Sequence, residues 1–249
     1  MALQIRRTLA QPDATHVHDL RVAIRRFNQA LALRPRSERP KRLLRRLKKI
    51  MRLAGEVRNA DITLNLVAKI KGTKRLVSRL HRRREDAERR LKKALDKLDP
   101  REIPRDLPIA SATSPAAIVG TARRMFKRAA KSGDPLRLHR IRIAAKKLRY
   151  TLELLAPDHP RLETVKRLQS MLGRINDYET AWAIVSEESG GKAVRAQLKQ
   201  KQAKRIREFH RFWATLFPDP ATQREWIREF TAIHSRNVSK LRRRHSAAA

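Results

Sequence analysis

Two stretches of this chain repeat one pattern, Val17 to Gln29 (VHDLRVAIRRFNQ) and Leu138 to Tyr150 (LHRIRIAAKKLRY). In the second, His139, Arg142, Lys146 and Arg149 are spaced three, four and three residues apart. On a helix those side chains fall within roughly 80° of one face. Leu138, Ile141, Ala145, Leu148 and Leu152 fall on an adjacent face. A helix of this kind must bury one stripe and offers the neighbouring one, headed by a histidine, to something anionic. The first stretch carries His18, Arg21 and Arg25 at the same places, with Asn28 where the second has Arg149. The chain is therefore expected to build one helical unit twice.

The rest of the sequence fits that expectation. The apolar period is helical throughout, and Gly or Pro stands almost wherever a helix must stop. The spacing predicts a short helix over 5–10, the first motif helix over 16–33 ending before Pro35, and a basic helix from Lys41 to Lys71. Gly72 is a turn, and one long charged helix follows from Thr73 to Leu98. Glu85, Asp86 and Glu88 interrupt its basic residues, which reads as a solvated face with ion pairs, Arg83 and Arg84 included. Four prolines from Pro100 to Pro115 mark the linker, taken as 99–113. Further helices are expected over 116–131, 136–155 (after Gly133-Asp134-Pro135), 161–188, 192–217 (after Gly190-Gly191) and 221–244.

The two halves, 1–98 and 114–245, align beyond the motif itself. Asp13 matches Asp134, and LKKIMRLAGEVRNAD from Leu47 resembles VKRLQSMLGRINDYE from Val165, with Gly55 opposite Gly173. Both glycines are candidate kinks. The expected fold is all-α, a single domain over 1–249 made of two antiparallel bundles of about four helices each, related by a pseudo-twofold axis.

The partner is constrained by charge. The chain has 61 Lys+Arg against 24 Asp+Glu, a net +37, and such self-repulsion is easiest to understand if the partner is a polyanion. That class covers nucleic acid, an anionic membrane surface and a phosphate polymer. A lone basic helix face is usually just solvated, but matched pairs are not. In the first half Lys41, Arg45, Lys48 and Arg52 line the helix after the motif; in the second, Lys166 and Arg167 occupy the equivalent helix. A pseudo-twofold would bring these stripes together around a basic groove, where one sign of charge focuses its field.

LHRIRIAAKKLRY and VHDLRVAIRRF, each followed by a helix carrying LAGEVRNAD or MLGRINDYE, resemble the CHAD domain, the conserved histidine α-helical domain. The likeness covers nearly the whole chain, in two copies and in the right order. It implies a pseudo-symmetric pair of helical bundles with a basic central groove or pore that binds inorganic polyphosphate. Candidate contacts in the first half are His18, Arg21, Arg25, Arg26, Arg45, Lys48, Lys49, Arg52 and Arg58; in the second they are His139, Arg142, Lys146, Lys147, Arg149, Tyr150, Lys166 and Arg167. The family's usual Arg-Asp after the first glycine reads Arg58-Asn59 here.

Other functions have weaker support. Nucleic acid is the second choice, because an aromatic fraction of 4% leaves little surface for base stacking. Catalysis is not expected: phosphoryl transfer normally needs metal-holding carboxylates, and the basic stripes lack paired Asp or Glu and a Gly-rich phosphate loop. No cofactor or metal is expected, and the absence of cysteine excludes disulfides and thiolate sites. No segment approaches a membrane span or a signal peptide, so a cytoplasmic protein is expected, with association to polyphosphate granules compatible with binding. Trp182, Trp213 and Trp226 read as core, and His210, His234 and His245 as surface.

Overall fold

A computed structural model describes residues 1–32, 40–103, 116–129, 135–189 and 191–246, the side chains of 29, 32, 100, 129, 135–137 and 234–246 excepted. Pro35, Gly133, Asp134, Gly190, residues 104–113 of the expected linker, and the side chains of His234 and His245 lie outside the described residues. Within them the chain is all-α, with nine helices and no strand. These are α1 (Ala2–Ala10), α2 (Ala14–Ala32), α3 (Lys41–Val67), α4 (Lys74–Asp96), α5 (Ala116–Ala129), α6 (Pro135–Leu155), α7 (Arg161–Ser186), α8 (Lys192–Leu216) and α9 (Pro220–Ser246).

The helix ends have local causes. Gln11 leaves α1 in extended conformation just before Pro12. Asp13 then accepts the backbone N–H of His16 at 2.7 Å, satisfying one of the orphan donors at the start of α2. Asp219 does the same for Thr222 at 2.8 Å at the start of α9. Gly72 turns the chain between α3 and α4 at φ 76°, a left-handed conformation that glycine adopts without penalty. Buried Thr73 closes this turn by donating to the carbonyls of Val67 and Ile70. The two candidate kinks, Gly55 and Gly173, lie inside α3 and α7, each of which runs through its glycine as one helix.

The helices group into two compact units. The first comprises residues 1–109 and 175–204, the second 110–174 and 205–249. Helices α7 and α8 thus each give one end to each unit, whereas the sequence repeats place both entirely in the second half.

The first unit has two apolar clusters. In one, Val17, Leu20, Ile24, Phe27 and Leu31 of α2 pack with Leu43, Leu47, Ile50 and Val57 of α3, Ile5 of α1, and Leu91 and Leu95 of α4. The other joins Leu64 and Val67 of α3 and Leu76 and Leu80 of α4 to Ala181, Ile184 and Val185 of α7 and Val194 and Leu198 of α8. Ion pairs reinforce that seam: Arg79 reaches Glu188 at 2.8 Å and Arg83 reaches Glu187 at 2.6 Å.

Arg84 differs from the solvated reading of α4. Its Nε donates to Asp61 at 2.8 Å, Nη1 to Glu88, and Nη2 to the Pro12 carbonyl at 2.8 Å, so it ties α4 to α3 and to the α1–α2 connection. Burial alone would lower its pKa, but the hydrogen bonds to Asp61 and Glu88 outweigh it and raise it.

In the second unit α5 packs on α6 and α9. The α6 stripe Leu138, Ile141, Ala145, Leu148 and Leu152 is buried, as its spacing requires. Phe126 of α5 meets Trp213, Phe217 and Trp226 edge-on at 6.4, 5.0 and 6.1 Å, in an aromatic core. Trp226 is fully buried and Trp213 half-buried. Trp182, in the first unit, is half-buried beneath the Lys199 ammonium, 4.5 Å from its ring. His210 is exposed.

Candidate functional site

In the first unit, burial of the α2 stripe orients the motif. With Val17, Leu20 and Ile24 at 0% exposure, His18, Arg21 and Arg25 are left along the flank of the helix. On α3, Lys48, Met51, Gly55 and Arg58 recur at i, i+3, i+7 and i+10 and so share a face beside the buried Leu47, Ala54 and Val57. The two faces meet. Arg21 Nη1 donates to the Met51 carbonyl at 3.1 Å. A β-carbon built on Gly55 would lie 2.9 Å from that same Nη1. The guanidinium therefore rests on bare helix backbone.

His18 is exposed, yet its pKa is lowered. Partial loss of hydration is the largest cause, followed by the positive charges of Arg58 and Arg25; Asp19 opposes them and Arg21 adds to them. One histidine thus senses three guanidinium groups from two helices. Like charges acting on one imidazole also repel one another, and an anion placed among them relieves that repulsion.

Around this cluster Arg26, Arg45, Lys48, Lys49 and Arg52 are exposed. Arg52 pairs with Glu56 along α3, and Arg90 of α4 reaches the same carboxylate at 3.0 Å.

In the second unit, α6 presents exposed His139 and Lys147 and half-buried Arg142 and Lys146. Several predicted cations here are fastened to protein groups. Arg149 donates to Glu153 at 2.8 Å and to Gln169 of α7 at 3.3 Å. Arg167 of α7 lies over the Phe212 ring at 4.5 Å, a cation–π contact. Lys166 pairs with Glu163. Tyr150 is 7% exposed, with the Arg149 guanidinium 5.4 Å from its ring centre. Asn176, which belongs to the first unit, donates to Thr180 at 3.2 Å.

The glycines distinguish the two repeats. No heavy atom of a neighbouring segment among the described residues lies within 4 Å of where a β-carbon on Gly173 would stand. The spacing that aligns it with Gly55 carries no signal that only one of them seats an arginine. The acids near Arg52, Arg149 and Lys166 are ion-pair partners, and among the described residues no group of three or more His, Asp or Glu could hold a metal ion. No helix among those residues is long and apolar enough to cross a membrane. The arrangement suits reversible binding of anionic oxygen, through guanidinium forks and lysine point charges.

A family model described as the CHAD domain matches residues 1–186. The chain is also similar to the crystal structure of the CHAD domain from the plant Ricinus communis, with TM-score 0.63, 21% sequence identity and 86% of each chain covered. At that identity the likeness speaks for the fold. No curated protein matches the chain.

Proposed function

The chain belongs to the CHAD domain family, and from that premise we propose that it binds inorganic polyphosphate, with one polymer chain engaging cations of both sequence repeats. The family is associated with polyphosphate binding and is not generally known as a catalytic fold. The observation that carries the reading is the seating of Arg21 of α2 on Met51 and Gly55 of α3, which joins the α2 face of His18 and Arg25 to the α3 face of Arg58. Polyphosphate has a charge on every unit and no base, and this cluster offers charge and hydrogen-bond donors without a stacking platform. His139, Arg142 and Lys146 supply the matching motif side chains in the second repeat. The protein acts as a binder rather than an enzyme, and association with polyphosphate granules follows from binding.

Capture is multivalent. Affinity rises with polymer length up to the span of the site and falls as salt screens the contacts. The test is competition near physiological salt between polyphosphate and duplex DNA, at matched phosphate concentration. Polyphosphate is expected to displace the DNA; equal or weaker competition assigns the surface to nucleic acid instead. Charge reversal of Arg21 with Arg142 is expected to weaken binding far more than reversal of exposed Arg75 with Arg82 on α4. Equal losses would mean diffuse attraction and no defined site.

A further inference from the structure

Gly55 stands where a side chain would be expected to cost nothing and to help. It lies in the interior of α3, where alanine is favoured over glycine. Its φ is ordinary, so no turn explains it. Close approach of two helix backbones does not explain it either, because both heavy atoms near its virtual β-carbon belong to one side chain: Arg21 Nη1 at 2.9 Å and Arg21 Cζ at 3.9 Å. The space that glycine leaves is filled by a guanidinium.

That guanidinium sits among like charges. Arg25 stands one turn further along α2 and Arg58 three residues beyond Gly55 on the same face of α3, and like charges repel. Its bond to the Met51 carbonyl at 3.1 Å opposes this, and the path to that carbonyl runs over the surface of Gly55. A methyl group there would occupy the seat, and the flexible end of Arg21 would swing outward, away from the cluster.

We infer that Gly55 is a positioning residue for phosphate binding: its missing side chain seats Arg21 against α3 among Arg25 and Arg58, a seat that Gly173 does not offer among the described residues. The role is exerted entirely through Arg21, since Gly55 itself touches no ligand. This inference rests on the polyphosphate reading above. It adds an asymmetry that the matched sequence motifs conceal. Preorganisation of this kind lowers the ordering cost of binding without adding a contact.

The experiment is a double-mutant cycle on the full chain, measuring the dissociation constant for polyphosphate of fixed length. Arg21→Ala is expected to weaken binding about tenfold, as loss of one charge-assisted contact does. Gly55→Ala should weaken it by a sizeable part of that, about three- to tenfold, and add nothing further in the Arg21→Ala background. Gly173→Ala should leave affinity unchanged. The guanidinium ¹⁵N resonances of Arg21 report seating without ligand, and in Gly55→Ala they should lose the signature of an ordered group. Retained affinity in Gly55→Ala, with Arg21→Ala still impaired, overturns the inference alone, as do losses from Gly55→Ala that simply add to those of Arg21→Ala. Failure of the wild-type chain to bind polyphosphate overturns the functional reading and this inference with it.

Discussion

Replacing Arg84 by alanine would remove three hydrogen bonds and strand a carboxylate. Asp61 has a side chain 8% exposed, and its Oδ1 relies on the Arg84 Nε. Its other oxygen is buried with no hydrogen-bond partner, so nothing in place takes over when the guanidinium goes. Breaking a buried ion pair from one side costs about 3–5 kcal/mol. Arg84 is itself 20% exposed, so water reaches part of the site and the lower end applies, about 3 kcal/mol. For a chain of this size that is roughly a 6–12 °C fall in melting temperature. Arg82, two residues earlier and exposed, is the control, expected within about 0.5 kcal/mol of wild type. Circular dichroism at 222 nm against temperature would measure both. The double variant Asp61→Leu with Arg84→Met removes both charges and should recover more than half of the loss. A melting temperature for Arg84→Ala equal to that of Arg82→Ala would refute the reasoning, and so would a double variant no better than the single one.

Two further outcomes concern pH. His18 has a lowered pKa in the free protein, so a bound polyanion should pull a proton onto it. Affinity for polyphosphate should rise as pH falls below about 6.5, and His18→Gln should flatten that rise; parallel profiles would exclude His18 from the site. His159 accepts the N–H of Arg161 through Nδ1 at 3.1 Å and packs 5.1 Å from Phe230. Burial first, then Arg161, lowers its pKa, while Glu229 opposes them. Because the folded state then holds fewer protons than the unfolded one, this stability is complete above about pH 6.5 and is lost as pH falls from there through the lowered value. His159→Asn keeps an acceptor and cannot titrate, so its melting temperature should fall less between about pH 7 and 5 than that of wild type. Equal slopes would refute the assignment.

Much of the architecture was legible because punctuation and period agree. The starts of α3 at Lys41, α5 at Ala116, α7 at Arg161 and α8 at Lys192 fall where spacing put them, each after proline or glycine. The buried stripe of α6 follows from 3.6-residue geometry alone. Pairings between distant segments were not legible. Arg84 meets Asp61 across 23 residues and Pro12 across 72, and nothing in the local pattern of α4 separates it from solvated Arg82. Likewise Arg149 and Arg167 read as ligands on the helix wheel, and only packing shows that Gln169 and Phe212 engage them. Gly55 and Gly173 are equivalent in alignment and differ only in what lies above them.

The division of α7 and α8 between the two units has a consequence for how the chain is made. The second cluster of the first unit draws on Leu64, Val67, Leu76 and Leu80, and closes only with Ala181, Ile184, Val185, Val194 and Leu198. During synthesis those early leucines wait for residues up to 204, roughly 5–20 s of translation beyond residue 109. The second unit waits in turn for the segment after 204. The first repeat can complete its α1–α4 cluster from its own residues, but its second cluster closes only after the second repeat has been made.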